Sequence, residues 1–255
     1  MTKFILPLLI IGLLVGCGER QYTNTSDLKP NTPAPEPVAE TKNPLIANPI
    51  PAKAAPNKLI ANPIVEKTIS KRINKPTSEL TKADYQKITR LSLSNNKLTD
   101  VKGIEKLTKL TKLYLYGNQL TDISGLEKLT ELTWLELGGN QLADIPKGLE
   151  KLTQLKVLWL SDNQLTDVSD LEKLPKLINL YLNNNELTDV KGLEKLTQLT
   201  GLVLSDNKLT DVKDLEKLAQ LTGLVLNNNP DLTTAQIAEL KKALPKCKIL
   251  SNPTK

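Results

Sequence analysis

From residue 88 to residue 232, apolar and polar positions follow one figure that returns about every 22 residues. It runs Ile88, Leu91, Leu93, Asn96, Leu98, then Leu110, Leu113, Leu115, Asn118, Leu120, and restarts at Leu132, Leu155, Leu177, Leu199 and Leu221. These are seven full copies, and a half copy places Leu244, Cys247 and Ile249 at leucine positions. Two leucines one residue apart predict a short strand, with the leucines facing in and their neighbours facing out. A unit of this kind cannot bury its apolar face alone, so copies must stack, and adjacent strands then form a parallel sheet about 4.8 Å apart.

The polar positions extend the pattern. The asparagine of each copy, Asn96 to Asn229, sits where the strand turns, and its amide can both donate to and accept from turn backbone. A second column, Asp100, Asp122, Asp144, Asp167, Asp189 and Asp211, precedes segments such as Val-Lys-Gly-Ile-Glu-Lys-Leu. The expected role is capping of a 3₁₀-type turn. A calcium ladder is the alternative, but one carboxylate per turn supplies few oxygens. The Glu-Lys pairs of the GLEKL segments are expected in solvent, individually worth little. The third copy is one residue longer, with Ile145-Pro146-Lys147-Gly148, which predicts a bulge on the outer side.

This figure resembles the 22-residue leucine-rich repeat of bacterial internalins, over about two thirds of the chain. The resemblance implies an α/β fold, a leucine-rich-repeat solenoid. It would be a curved right-handed superhelix with a parallel sheet on its concave face, short 3₁₀ or irregular segments on its convex face, and helical caps at both ends. It also implies adhesion to, or recognition of, another protein. The ends of a stack need closure. Asn62-Pro63 starts a helix expected to run to about Ile73, and Thr81 to Asp84 opens a second to about Lys87. Thr233 to Gln236 is a further capping box, with Ile237, Leu240 and Leu244 on one helix face.

The N-terminus has another character. Lys3 precedes an apolar run from Phe4 to Val15, shorter than a spanning helix and laid out as a secretory signal. It ends in Leu14-Val15-Gly16-Cys17, which resembles a bacterial lipobox and implies cleavage before Cys17 and acylation there. Several acyl chains on one residue hold a protein stably at a membrane. Gly18 is not the aspartate of inner-membrane retention, which favours the outer membrane in a two-membrane host. Prolines punctuate the next 44 residues, and LIANPI occurs at 45–50 and again at 59–64. A docking peptide and a duplication within a semi-rigid spacer are both open readings. The domain organisation is therefore signal peptide 1–16, lipidated cysteine and Pro-rich tether 17–61, N-terminal cap 62–87, seven repeats 88–232 and C-terminal cap 233–255.

Composition narrows the function. The chain has no histidine, the commonest general base and metal ligand. There is no nucleophile elbow, phosphate loop or ligand cluster, so no enzyme, cofactor or metal is expected. The net charge is +6, but lysines and acids are interspersed, and no nucleic-acid interface is indicated. Two cysteines cannot build a disulfide framework.

The letters that change between copies are the outward strand positions. One column reads Arg90, Lys112, Trp134, Val157, Asn179, Gly201, Gly223, Lys246; the next reads Ser92, Tyr114, Glu136, Trp159, Tyr181, Val203, Val225, Lys248; a third begins Ser94, Tyr116, Gly138, Ser161, Asn183. Five of the eight aromatics fall here, where the core does not need them. An exposed apolar patch of this kind marks interaction sites, and Tyr and Trp anchor interfaces; aromatics also favour strands and stack across them. The candidate ligand-binding residues are Tyr114, Tyr116, Trp134, Glu136, Trp159, Tyr181 and Asn183, with Cys17 the lipidation site. The expected protein is a monomeric module, anchored in the bacterial envelope by lipid, binding a protein or glycan at the outer membrane, cell surface or periplasm. The alternative is an envelope scaffold that uses its convex or lateral face. With Ser-Asn-Pro-Thr-Lys at the end and no sorting signal, an invasion-type function is not expected.

Overall fold

The computed structural model describes residues 60–253. The signal segment, Cys17, the Pro-rich stretch to residue 59 and the first LIANPI lie outside the described residues. Helix α1 (Pro63–Ile73) and the short α2 (Lys82–Tyr85) lead into eight three-residue strands. These are β1 (Arg90–Ser92), β2 (Lys112–Tyr114), β3 (Trp134–Glu136), β4 (Val157–Trp159), β5 (Asn179–Tyr181), β6 (Gly201–Val203), β7 (Gly223–Val225) and, after α3 (Thr234–Ala243), β8 (Lys248–Leu250). They make one open curved parallel sheet in chain order, with like positions of successive repeats paired, as Leu135 with Leu158 and Leu158 with Leu180. Each connection carries one 3₁₀ turn or, last, α3. The leucines of every copy are buried in a single aliphatic core, Leu113, Leu135, Leu158 and Leu180 completely. Among the described residues no helix is long and apolar enough to cross a membrane.

The asparagine ladder stitches the repeats together. Asn185 accepts from Leu165 N–H of the preceding copy and donates to Leu160 O of that copy and Leu182 O of its own. Asn118, Asn140, Asn163, Asn207 and Asn229 repeat the arrangement. The residue before each is Asn95, Gly117, Gly139, Asp162, Asn184, Asp206 or Asn228, and all have φ between 56° and 67°. Left-handed backbone is tolerated by those residue types.

The convex turns differ from expectation in three ways. The aspartates meet the capping expectation only in part. Asp167 and Asp211 accept from the N–H of Ser169 and Lys213, the first residues of their 3₁₀ turns, whereas Asp100 and Asp189 accept from the N–H two residues on, upstream of the turn. In the third copy that residue is Pro146, which has no N–H to donate. The glutamates of the GLEKL segments are not merely solvated: Glu105, Glu127 and Glu150 accept from Gly103, Gly125 and Gly148 N–H at 2.7–2.8 Å. These glycines have φ near +90 to +100°, and where aspartate replaces them, at Asp170 and Asp214, the 3₁₀ turn starts earlier and is five residues long instead of three. The extra residue of the third copy is absorbed by burying Pro146 where other copies have Ile123 or Val168; Ile145 half-buries beside it.

The caps are specific. Ile60 is fully buried, Asn62 N–H donates to Lys102 O and its side chain donates to Asp100 O. Asn62 Oδ1 also caps α1 through Ile64 and Val65 N–H. Residues 60–64 of the second LIANPI are thus docked on the first repeat as part of the folded body, and are not spacer. Asp84, buried, accepts from Thr81 and from Lys75 and Lys87 Nζ at 3.0 and 3.1 Å. These hydrogen bonds, Thr81's first, hold its carboxyl below the ordinary value of 3.8. A depressed carboxylate stabilises the fold above its unfolded value and loses that contribution as the pH falls. Asp84→Asn is therefore expected to melt below wild type at neutral pH, and the gap to close progressively below pH 3.8, in melts followed by circular dichroism.

At the other end the register differs from the sequence reading. Lys248 pairs with Gly223, Ile249 with Leu224 and Leu250 with Val225. Lys248 therefore belongs to the first outward column and Leu250 to the second, and Cys247 is not at a strand leucine position. Helix α3 replaces the 3₁₀ turn, and the chain spends two extra residues leaving it, with Cys247 N–H donating to Leu244 O. Cys247 is half-buried against the core, and burial pushes its thiol up to about 11.

Candidate functional site

The strands bring Tyr114, Trp134, Glu136, Trp159 and Tyr181 onto one side of β2 to β5, because residues flanking each buried leucine point away from the core. Tyr116 and Asn183 follow in the third column. The expected open aromatic patch is corrected in one respect. Among the described residues Tyr116 is the one large apolar side chain that stands exposed, at 41%; the other four rings are half-buried.

These rings pack on one another and under neighbouring cations, each covering one face. Trp159 and Tyr181 stack with centroids 3.6 Å apart and planes 12° from parallel. Tyr114 and Trp134 lie 6.2 Å apart, tilted. The Arg90 guanidinium sits 4.7 Å from the Tyr114 ring centre and Lys112 Nζ 5.7 Å from that of Trp134. Such cation contacts are worth about 0.5–1 kcal/mol at exposed sites. The rings form a self-supported ridge that offers edges and two capping cations. Arg90 belongs to the site, and sequence reasoning left it out; its signal was its place two positions before Ser92 in the same column as Lys112.

Polar chemistry is concentrated on the ridge. Glu136 stands in register between Tyr114 and Trp159, and burial pushes its carboxyl up. Among the described residues four buried side-chain polar atoms lack a partner, and three, Trp134 Nε1, Trp159 Nε1 and Asn179 Oδ1, are here. Asn183 Oδ1 accepts from Ser161 Oγ at 2.7 Å. Beside it, Asn184 Nδ2 donates to Asp162 Oδ1 and Asn228 Nδ2 to Asp206 Oδ1, both at 2.7 Å. A separate cleft of about 360 Å³ lies on the convex side, between the turn at Lys213–Lys217 and α3, with Asp211, Glu216 and Glu239 on its walls. Asp211 on its wall is bonded to its own turn and Glu239 is exposed, and it lies away from the aromatic side chains.

A parallel sheet built one strand per repeat, with an aliphatic core behind it and variable side chains in front, defines a leucine-rich-repeat solenoid, the fold of protein-binding modules in general. The sequence profile "Leucine Rich repeats (2 copies)" matches residues 86–128, 130–173, 153–195 and 175–217, more than half of the chain. The chain belongs to this leucine-rich repeat family. It is similar to internalin C2 of Listeria monocytogenes, at 30% identity over 77% of this chain and 88% of that one, with a TM-score of 0.70. It is similar also to an internalin (inlF) of the same organism, at 31% identity over 79% of this chain, again with a TM-score of 0.70. It spans 60% of the latter's length. No curated protein sequence matches the chain.

Proposed function

We propose that the protein recognises another protein through the concave face of its repeats, and that acylated Cys17 holds it in the bacterial envelope. The observation that carries the recognition reading is the placement of Trp134, Trp159 and Tyr181 on the outward side of the sheet, where the core gains nothing from them. Protein is favoured over glycan because Trp159, Tyr181, Tyr114 and Trp134 each already have one face against a ring or a cation, which halves the flat surface a sugar could stack on. Ring edges, two cations and an unpaired carboxylate suit a protein surface, where Tyr, Trp and Arg concentrate binding energy. Anchoring is supported by the lipobox at the end of the apolar run, and a single-chain anchor would be too weak. The residues from 18 to 59 would set the module off the membrane by roughly 35–130 Å, between coil and polyproline limits.

One experiment on intact cells tests both parts. Formaldehyde crosslinking, followed by blotting for the repeat domain, is expected to give a discrete adduct in wild type. The triple variant Trp134→Ala, Trp159→Ala, Tyr181→Ala is expected to lose it while keeping its melting transition. Cys17→Ala is expected to leave the membrane fraction. An adduct that survives the triple variant would move the contact to the convex or lateral face and turn the protein into a scaffold. A Cys17→Ala protein that stays with the membrane would remove the lipid anchor.

A further inference from the structure

Glu136 is the sole acid in the three outward columns. It is half-buried, and among the described residues no donor is bonded to its carboxylate. Burial alone acts on it, pushing the carboxyl above the ordinary 4.5. Acids elsewhere on the repeats have partners: Asp162 and Asp206 accept from Asn184 and Asn228, and Glu127 and Glu150 from glycine N–H groups. Even the indole nitrogens beside Glu136, those of Trp134 and Trp159, do not donate to it. A desolvated carboxylate without a partner costs the fold, and an apolar side chain of the same size would not.

Four of the five concave rings surround this carboxylate. Tyr114 and Trp159 flank it in register, and Trp134 precedes it by two residues on the same face of β3. Tyr116 leans in from the end of β2. Its ring would stand 3.2 Å from a Cβ at Gly138 and 3.3 Å from one at Gly139, so the two glycines make room for it over the end of β3. Trp159 stacks on Tyr181 of β5 by one face, which leaves the other toward Glu136. The nearby cations are committed elsewhere, Arg90 to the Tyr114 ring and Lys112 to the Trp134 ring. From the β4 side come Val157, Trp159 and Ser161, none of them charged. We infer that Glu136 and the rings around it form the seat for a basic side chain of the protein partner, with its cation on the carboxylate and its stem against Trp159. This rests on the concave-face reading above and names the partner's chemistry. The carboxylate and the ring faces both attract a cation, and desolvation strengthens each attraction. An acidic side chain would be repelled at the same point.

The chain's two tryptophans border the carboxylate, so their indole ¹⁵N–¹H signals report on it directly. The test titrates the full chain with acetyl-Ala-Arg-Ala-amide, beside the neutral citrulline analogue and acetyl-Ala-Glu-Ala-amide. The arginine peptide is expected to shift both indole signals saturably, and the other two are not. Glu136→Gln is expected to weaken the arginine peptide roughly tenfold. It should melt no lower than wild type at neutral pH, since it removes a charge that the fold holds without a partner. Absence of a saturable shift, equal shifts by the citrulline peptide, preference for the glutamate peptide, or unchanged binding in Glu136→Gln overturns the inference. A lower melting temperature in that variant would make the carboxylate structural and overturn it too. Crosslinking in intact cells separates this inference from the concave-face reading. An adduct lost in Glu136→Gln as in the triple ring variant supports both. An adduct lost in the triple variant but kept in Glu136→Gln refutes the basic side chain and leaves concave recognition standing, and one kept in both refutes both.

Discussion

Asn185→Ala is expected to destabilise the domain by about 2–4 kcal/mol, from one unsatisfied buried donor plus the cavity left behind. The ladder's bonding explains why the loss is neither smaller nor larger. Leu165 N–H has Asn185 Oδ1 as its partner and would be left buried and unpaired. The carbonyls fare better. Leu160 O keeps the amide of Asn163, and Leu182 O keeps that of Asn207, because each inner carbonyl accepts from two ladder asparagines. Asn96, which has no full copy before it and donates to Ser94 O within its own turn, makes the internal control. Asn96→Ala should cost well under half as much. Urea unfolding of the two variants beside wild type checks this, and equal midpoint shifts would show that the ladder does not couple neighbouring repeats.

Leu158→Ala is expected to cost roughly 2–5 kcal/mol. Leu158 is fully buried in β4, in register with Leu135 and Leu180, so the cavity lies between two neighbours that cannot both collapse onto it. Tyr116→Ala, at a position 41% exposed on the concave side, should cost under ~1 kcal/mol, as surface changes do. In a stack where each repeat touches only its neighbours, a defect in the fourth copy also weakens the interfaces on both sides. Thermal melts of both variants decide the point. Similar shifts would invert the assignment of inward and outward faces.

The leucine and asparagine columns were legible because each position has one chemical requirement, repeated in every copy. The solenoid, its parallel register and the identity of the outward columns follow from that alone. The left-handed column was equally open to reading: Asn95, Gly117, Gly139, Asp162, Asn184, Asp206 and Asn228 share a tolerance for positive φ and little else. So was the choice between glycine and aspartate that sets each 3₁₀ turn's length. The candidate site was legible only as a set of residues. Whether Trp159 shows solvent a face or an edge depends on its rotamer against Tyr181, and no spacing encodes that. The two-residue offset at β8 escaped because Leu244, Cys247 and Ile249 imitate the repeat, while the exit from α3 consumes the difference. Arg90 escaped for a related reason: its importance lies in the ring beneath it on the next strand.

The docked residues 60–64 of the N-terminal cap carry a consequence for inheritance. Residues 45–50 and 59–64 are identical, so loss of the 14 residues between equivalent points gives the same product wherever the break falls. That product always retains one LIANPI joined to Val65, and with it Ile60's seat in the core and Asn62's bonds to Asp100 and Lys102. Recombination or replication slippage at this duplication can therefore change the length of chain ahead of the domain in steps of 14 residues without altering a single contact of the cap. A lineage could adjust how far the repeats stand from the start of the chain while the repeats themselves stay untouched.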